Sequence, residues 1–411
     1  MTKSLAAHIC FVAAFLAVVC SSLICIKAKE VKPALPPNRD VLATLERLGD
    51  NSCALLSDPT VIEDLGDFAK GWHRMKETGP TGRDFTLKMA WMPDRQRAFF
   101  CGANHGSPHR FNDAWEYDLP SNTWVLLYTP DYNDRGTITD YDKQTLVLDD
   151  GWLRTKKGGP AHPAHTWWGL TYNRKRKAIV WYCAWPGYRL DAKLEAIGAT
   201  RDDLYRGPPV WTFFPAEQRW EPFPTDEPWP RNAFGASLEY IPAMDGMLWQ
   251  YRENTWLLDA EKPSWKLLNN QGEALPIETL VCHDPQRKLL IAHRGPFKEE
   301  KPRTWHMSLE DDKPGPWKQV VEADDLPNGH DARSWMHFDP VGKVALLYER
   351  ATKAIWSYDP DAQRWTKLEP DGPAPPFGER ERVLAYMDTA RNVFVVIGYD
   401  AVWCYRYRKA S

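Results

Sequence analysis

Apolar and polar positions alternate through most of this chain in short runs broken by tight polar turns, the pattern of half-buried β-strands joined in hairpins. One kind of hairpin carries a Trp on each side of its turn. The copies run from Trp115 to Trp124, Trp211 to Trp220, Trp256 to Trp265, Trp305 to Trp317 and Trp356 to Trp365, and four of the five pairs are nine residues apart. Upstream of each lies a second hairpin, with turns at Pro93–Arg97, Asn173–Lys177, Pro242–Gly246, Asp284–Lys288, Asp339–Lys343 and Asp388–Asn392. Each turn leads into an apolar run, as in Ala98-Phe99-Phe100, Ala178-Ile179-Val180 or Val393-Phe394-Val395.

Two hairpins per repeat make a four-stranded sheet, and repeats of about 45–50 residues built this way predict the blades of a β-propeller. The sixth copy stops at its third strand, Val402-Trp403-Cys404-Tyr405. Its partner is expected near the other end of the chain, where Gly71 to Pro80 is similar to Arg364 to Pro373. Trp72 to Lys76 is therefore predicted to pair with Trp403 to Tyr407 and close the ring, which removes the open sheet edge. The fold class expected is all-β: a six-bladed propeller over residues 71–411, closed by an N-terminal strand. Residues 29–70 are expected to form a linker and two short helices, at Asp40 to Leu48 and Asp58 to Phe68, from their helical spacing and caps.

The segment Phe111 to Leu119 followed by Asn122-Thr123-Trp124, repeated at Ile355 to Pro360 with Trp365, resembles a kelch repeat. The resemblance covers about residues 71 to 407. It departs at the kelch double glycine, which here reads Cys101-Gly102, Trp181-Tyr182, Gln250-Tyr251, Ala292-His293, Leu347-Tyr348 and Val396-Ile397. Kelch propellers include sugar oxidases, a sialic-acid mutarotase and many binding scaffolds, so the resemblance implies a fold and leaves the activity open. A copper radical oxidase of the galactose-oxidase kind would need a Cys–Tyr cross-link beside two His. Cys101 and Cys183 are the cysteines in range, but the extra domains of those enzymes are not expected here.

Composition adds three points. The 21 Trp far exceed ordinary usage, and the repeat accounts for twelve of them at two per blade. The net charge of −3 gives no electrostatic case for nucleic-acid binding. The apolar run from Leu5 to Ile26, flanked by Lys3, Lys27 and Lys29, reads as a signal peptide over residues 1–28 or as an uncleaved N-terminal membrane anchor. Either places the protein outside the cytoplasm, secreted or periplasmic. Cys53, Cys101, Cys183, Cys282 and Cys404 are scattered and odd in number, which reads as buried single thiols rather than a disulfide framework.

In a meander blade, the loops after strands one and three share a face, and here they are tight turns. The loops after strand two and between blades share the other face and carry the insertions, at about Thr129 to Pro160 and Pro186 to Pro209. Long loops on a rigid scaffold are where binding concentrates, so this is the face expected to work. The candidate ligand-binding residues on it are His109, Arg110, Trp167, Trp185, Arg189, Arg231, His293, Arg294, His330, Arg333 and Arg380. Aromatic faces beside Arg suit a carbohydrate or another anionic small ligand, because the ring covers the apolar face and the guanidinium pairs with carboxylate. Trp167, Trp168 and Trp181 also suit the core. A protein partner fits the same surface.

The alternative is a polysaccharide lyase or sugar-acid epimerase. His105, His162 or His165 would move the proton, Tyr188 would be the partner acid, and Arg231 or Arg333 would neutralise the carboxylate. His162 and His165 have no third ligand in view, so no metal site is assigned and no cofactor is implied.

Overall fold

A computed structural model describes residues 35–61, 83, 85–86, 88–102, 111–131, 140–161, 165–182, 190–231, 235–296, 301–310, 314–329, 334–378 and 381–410. The chain forms six antiparallel sheets arranged as a β-propeller. Blade 1 holds Ala90–Met92, Arg97–Cys101, Ala114–Asp118 and Thr123–Tyr128, and blade 2 holds Leu170–Asn173, Ala178–Tyr182, Val210–Phe214 and Arg219–Pro222. Blade 3 holds Ser237–Ile241, Gly246–Tyr251, Asn254–Asp259 and Trp265–Asn269, and blade 4 holds Leu280–Asp284, Leu289–Arg294, Arg303–Ser308 and Lys318–Glu322. Blade 5 holds Ser334–Asp339, Val344–Glu349, Ala354–Asp359 and Arg364–Leu368, and blade 6 begins with Leu384–Asp388, Val393–Ile397 and Val402–Arg406. The first strand of each blade contacts the first strand of the next, all the way round.

Local chemistry sets the turns. Asp284, Asp339 and Asp388 each accept hydrogen bonds from backbone N–H groups two and three residues ahead, at 2.8–3.1 Å. Such Asx turns bend the chain without help from tertiary packing. The residue closing each of these turns is left-handed: Lys288, Lys343 and Asn392 have φ of 51°, 58° and 52°.

In blades 1 to 5 a Trp on or just before the outer strand wedges between blades. Trp124, Trp220, Trp265, Trp317 and Trp365 each belong to the apolar cluster between their own blade and the preceding one. In register, Trp124 pairs with Tyr117, Trp220 with Phe213, Trp265 with Leu258 and Trp365 with Tyr358.

Blade 6 corrects the sequence reading. Its outer strand is Ser52–Leu56, with Cys53 opposite Tyr405 and Leu55 opposite Trp403. Trp72 to Lys76 does not close the ring, and lies outside the described residues. Cys53 occupies the slot that Trp fills in the other blades, so the signature that located the outer strands is missing from the strand that closes the ring. Cys53 stays buried, and its Sγ meets the Pro373 carbonyl at 3.2 Å. The backbone at Gly372, with φ of 129°, passes so close that a Cβ there would collide with the Cys53 carbonyl oxygen.

Residues just after this strand reach the next blade. Thr60–Val61 adds a parallel strand to the outer edge of blade 1, where a helix from Asp58 is expected from the sequence; residues 62–68 lie outside the described residues. The first expected helix is present at Arg39–Arg47. Asn38 caps it, accepting from Asp40 N at 2.9 Å. Val41, Leu45 and Leu48 pack into the cluster shared by blades 6 and 1. Arg406 Nη1 donates to the Leu45 carbonyl at 2.9 Å and the Leu48 carbonyl at 2.5 Å, satisfying oxygens at the helix end. Residues 38–61 thus brace the seam where the first and last blades meet.

The two long insertions join each other. The hairpin Leu146–Asp149 and Trp152–Thr155, from the blade 1 to 2 connection, packs on helix Leu190–Ala196 from inside blade 2. Leu146, Leu153, Ala161, Leu190 and Leu194 form its small core. The four described cysteines, Cys53, Cys101, Cys282 and Cys404, are all buried.

Candidate functional site

A cavity of about 410 Å³ occupies the central channel, walled by the innermost strands of all six blades. Counting back from the end of each inner strand resolves the wall into two rings. One residue back are Trp91, Tyr172, Tyr240, His283, Phe338 and Met387; two back are Ala90, Thr171, Glu239, Cys282, His337 and Tyr386. The outer ring is largely aromatic, and the deeper one more polar. Arg174, Pro242, Pro285, Pro340 and Thr389, from the turns that follow, line the mouth. The cavity therefore opens on the short-turn face, opposite to the long loops.

A buried ion pair sits at the deep end. Lys88 Nζ meets the Glu239 carboxylate and donates to the Leu238 carbonyl at 2.8 Å. Its ammonium lies 5.8 Å from the ring centre of Trp168, within cation–π range. Burial pushes the Glu239 carboxyl above the usual range, while Lys88 opposes that shift. Burial, then the nearby Lys88 charge, lowers His337 to about 3. Its Nε2 donates to the Ala385 carbonyl at 3.2 Å. Burial lowers His283 to about 4 against the pull of Asp284, and Arg174 adds to the lowering. The Cys282 thiol is driven upward by burial and then by Glu239. Around neutral pH the wall of the pocket thus holds neutral imidazoles, a neutral thiol and one closed ion pair.

The rim is different. Arg174 is exposed and has no ion-pair partner among the described residues. Its guanidinium lies 6.0 Å from the Tyr240 ring centre. By contrast, Lys175 pairs with Asp245, Arg287 with Asp284 and Asp361, and Arg391 with Asp388. Tyr172 OH is held by Asp94 at 2.6 Å, which fixes its ring at the mouth. The pocket offers flat apolar faces, hydroxyl and carbonyl groups and one uncommitted cation.

The sequence reading did not single out these residues. For the two rings the signal was available, since their residues stand one to three places before turns that the sequence located. Of the residues it did single out, His105, His109, Arg110, His162, Trp185, Tyr188, Arg189, His330, Arg333 and Arg380 lie outside the described residues. Arg231 is exposed. His165 and Trp167 are buried together, ring centres 5.0 Å apart, with Phe85 5.2 Å from His165. His293 is wholly buried, with Nδ1 3.0 Å from Thr304 Oγ1 and Nε2 2.9 Å from the Pro327 carbonyl. Arg294 is buried 3.9 Å from Glu278. Trp168 and Trp181 are core residues. Among the described residues no group of three or more His, Cys, Asp or Glu is placed to hold a metal ion. No helix among them is long and apolar enough to cross a membrane.

The chain is a six-bladed β-propeller with a pocket in its channel. No family model matches it, and no curated protein matches it. A solved structure described as "Crystal structure of Nidogen/Laminin Complex" is similar over 62% of this chain and 87% of that chain, at 13% identity and a TM-score of 0.34. A likeness of that extent carries no argument about what this chain binds.

Proposed function

We propose that this propeller binds a small acidic carbohydrate in its central channel. One observation carries the reading: a channel mouth ringed by Trp91, Tyr172, Tyr240 and Phe338 has an exposed Arg174 with no carboxylate partner among the described residues. Aromatic faces cover the apolar side of a sugar ring, and an Arg fork pairs with a carboxylate. The apolar run from Leu5 to Ile26 supports export, and the Trp and Tyr at matching positions in the blades support a divergent kelch-type repeat.

Calorimetry with glucuronic acid and glucose tests the ligand. The acid is expected to bind more tightly, and Arg174→Ala to weaken it about tenfold while leaving glucose unchanged, as loss of one charge-assisted pair requires. Equal affinity for acid and neutral sugar, or no binding of either, would refute the proposal. Fractionation of cells expressing the full chain tests export, with cytoplasmic protein the contrary result.

A further inference from the structure

We infer that the pocket takes one sugar-acid unit end-on, either a free monosaccharide or the last unit of a chain, and not an internal segment of a polymer. This rests on the carbohydrate reading and adds the class of substrate. The reason is a plug across the channel axis. Lys88 leads into blade 1 and is bridged through its backbone to Ala385 of blade 6, yet its Nζ reaches the Leu238 carbonyl of blade 3 at 2.8 Å and pairs with Glu239. Trp168 leads into blade 2, is bridged to Ser237 of blade 3, and is only 1% exposed. Its ring centre lies 6.1 Å from that of His337 in blade 5. His337 in turn holds the Ala385 carbonyl of blade 6.

Side chains from four blades, with the Ala385 carbonyl of a fifth, thus meet on the axis, Lys88 and Trp168 lying behind Glu239 and His337. The walls are inner strands in contact with their neighbours around the ring, which leaves no lateral slot for a polymer to lie in. A ligand enters and leaves through the mouth on the short-turn face. The volume of about 410 Å³ is near the lower end of the roughly 300–1,000 Å³ usual for small-molecule sites. The next unit of a chain must therefore sit outside, among Arg174, Pro242 and Thr389.

The test uses the full chain, with glucuronic acid and linear oligoglucuronates of increasing length as titrants in calorimetry. The expected stoichiometry is one protein per molecule at every length, with affinity nearly independent of length. Binding of the free acid alone identifies the monosaccharide as the ligand, and equal binding of the oligomers identifies the chain end. Several proteins per long oligomer would overturn the inference and leave the carbohydrate reading intact. Thr389→Trp, an exposed turn residue at the mouth, is expected to weaken binding at least tenfold with an unchanged thermal melt. Wild-type affinity in a folded T389W protein would equally overturn it. Failure of every uronate to bind the unmodified protein would refute the carbohydrate reading itself, and this inference with it.

Discussion

Removing the closing strand should unfold this propeller. The perturbation is a chain starting at Asp67, compared with one starting at Leu35. The shorter chain lacks the capped helix Arg39–Arg47, the strand Ser52–Leu56 and the added strand Thr60–Val61. Val41, Leu45, Leu48 and Leu56 are all buried. At about 1.5–3 kcal/mol for each fully buried aliphatic side chain, the four contribute roughly 6–12 kcal/mol. That is an upper value, since an unfolded chain already hides some of this surface. The lost ladder against Val402–Arg406 adds hydrogen bonds worth about 0.5–1.5 kcal/mol each. Arg406, buried, also loses its acceptors at Leu45 and Leu48. The total is comparable with the whole net stability of a domain, about 5–15 kcal/mol. The Asp67 chain is expected to be insoluble or to lack a cooperative melt, while the Leu35 chain is monomeric by size exclusion and melts cooperatively. A monomeric Asp67 chain melting within a few degrees of the Leu35 chain would refute the closure described here. Leu56→Ala gives a graded version, with an expected loss of about 2–5 kcal/mol in denaturant titration.

Trp365→Ala should cost about 3–5 kcal/mol, because the indole is buried between blades and donates to Thr304 Oγ1 at 2.9 Å; a wild-type denaturation midpoint would contradict the wedge role. Gln363, with φ of 49°, closes a turn in the left-handed region, so Gln363→Gly should raise stability by up to about 1 kcal/mol, and a clear loss would count against relief of backbone strain. Burial holds His293 at about 4, below the ordinary 6.5, so under acid the unfolded chain takes up a proton that the folded protein refuses. Stability should therefore be unaffected by this group above pH 6.5 and fall as pH drops towards 4, by about 2 kcal/mol at pH 5. Denaturant titrations at pH 7 and pH 5 measure it, and His293→Gln should show a smaller pH difference than wild type; an equal difference would refute the assignment.

Much of the fold is legible in the sequence because its parts are local. Strand alternation, the Asx turns at Asp284, Asp339 and Asp388, and the nine-residue Trp spacing each depend on residues close together in the chain, and together they mark six repeats. The closing strand is not local. It brings Asn51 to Tyr405, 354 residues away, and a Cys stands where the repeat has Trp. Such a pairing depends on which segment fills the last gap in the ring, and Ser52–Leu56 does so with its helix already docked on blades 6 and 1. The pocket is likewise a product of closure. Lys88, Glu239, Cys282 and His337 come from separate blades, and although the last three stand just ahead of turns that the sequence located, only closure of the ring gathers them into one site. They face one another only because six sheets of similar width pack around one axis, which draws equivalent positions of the inner strands together.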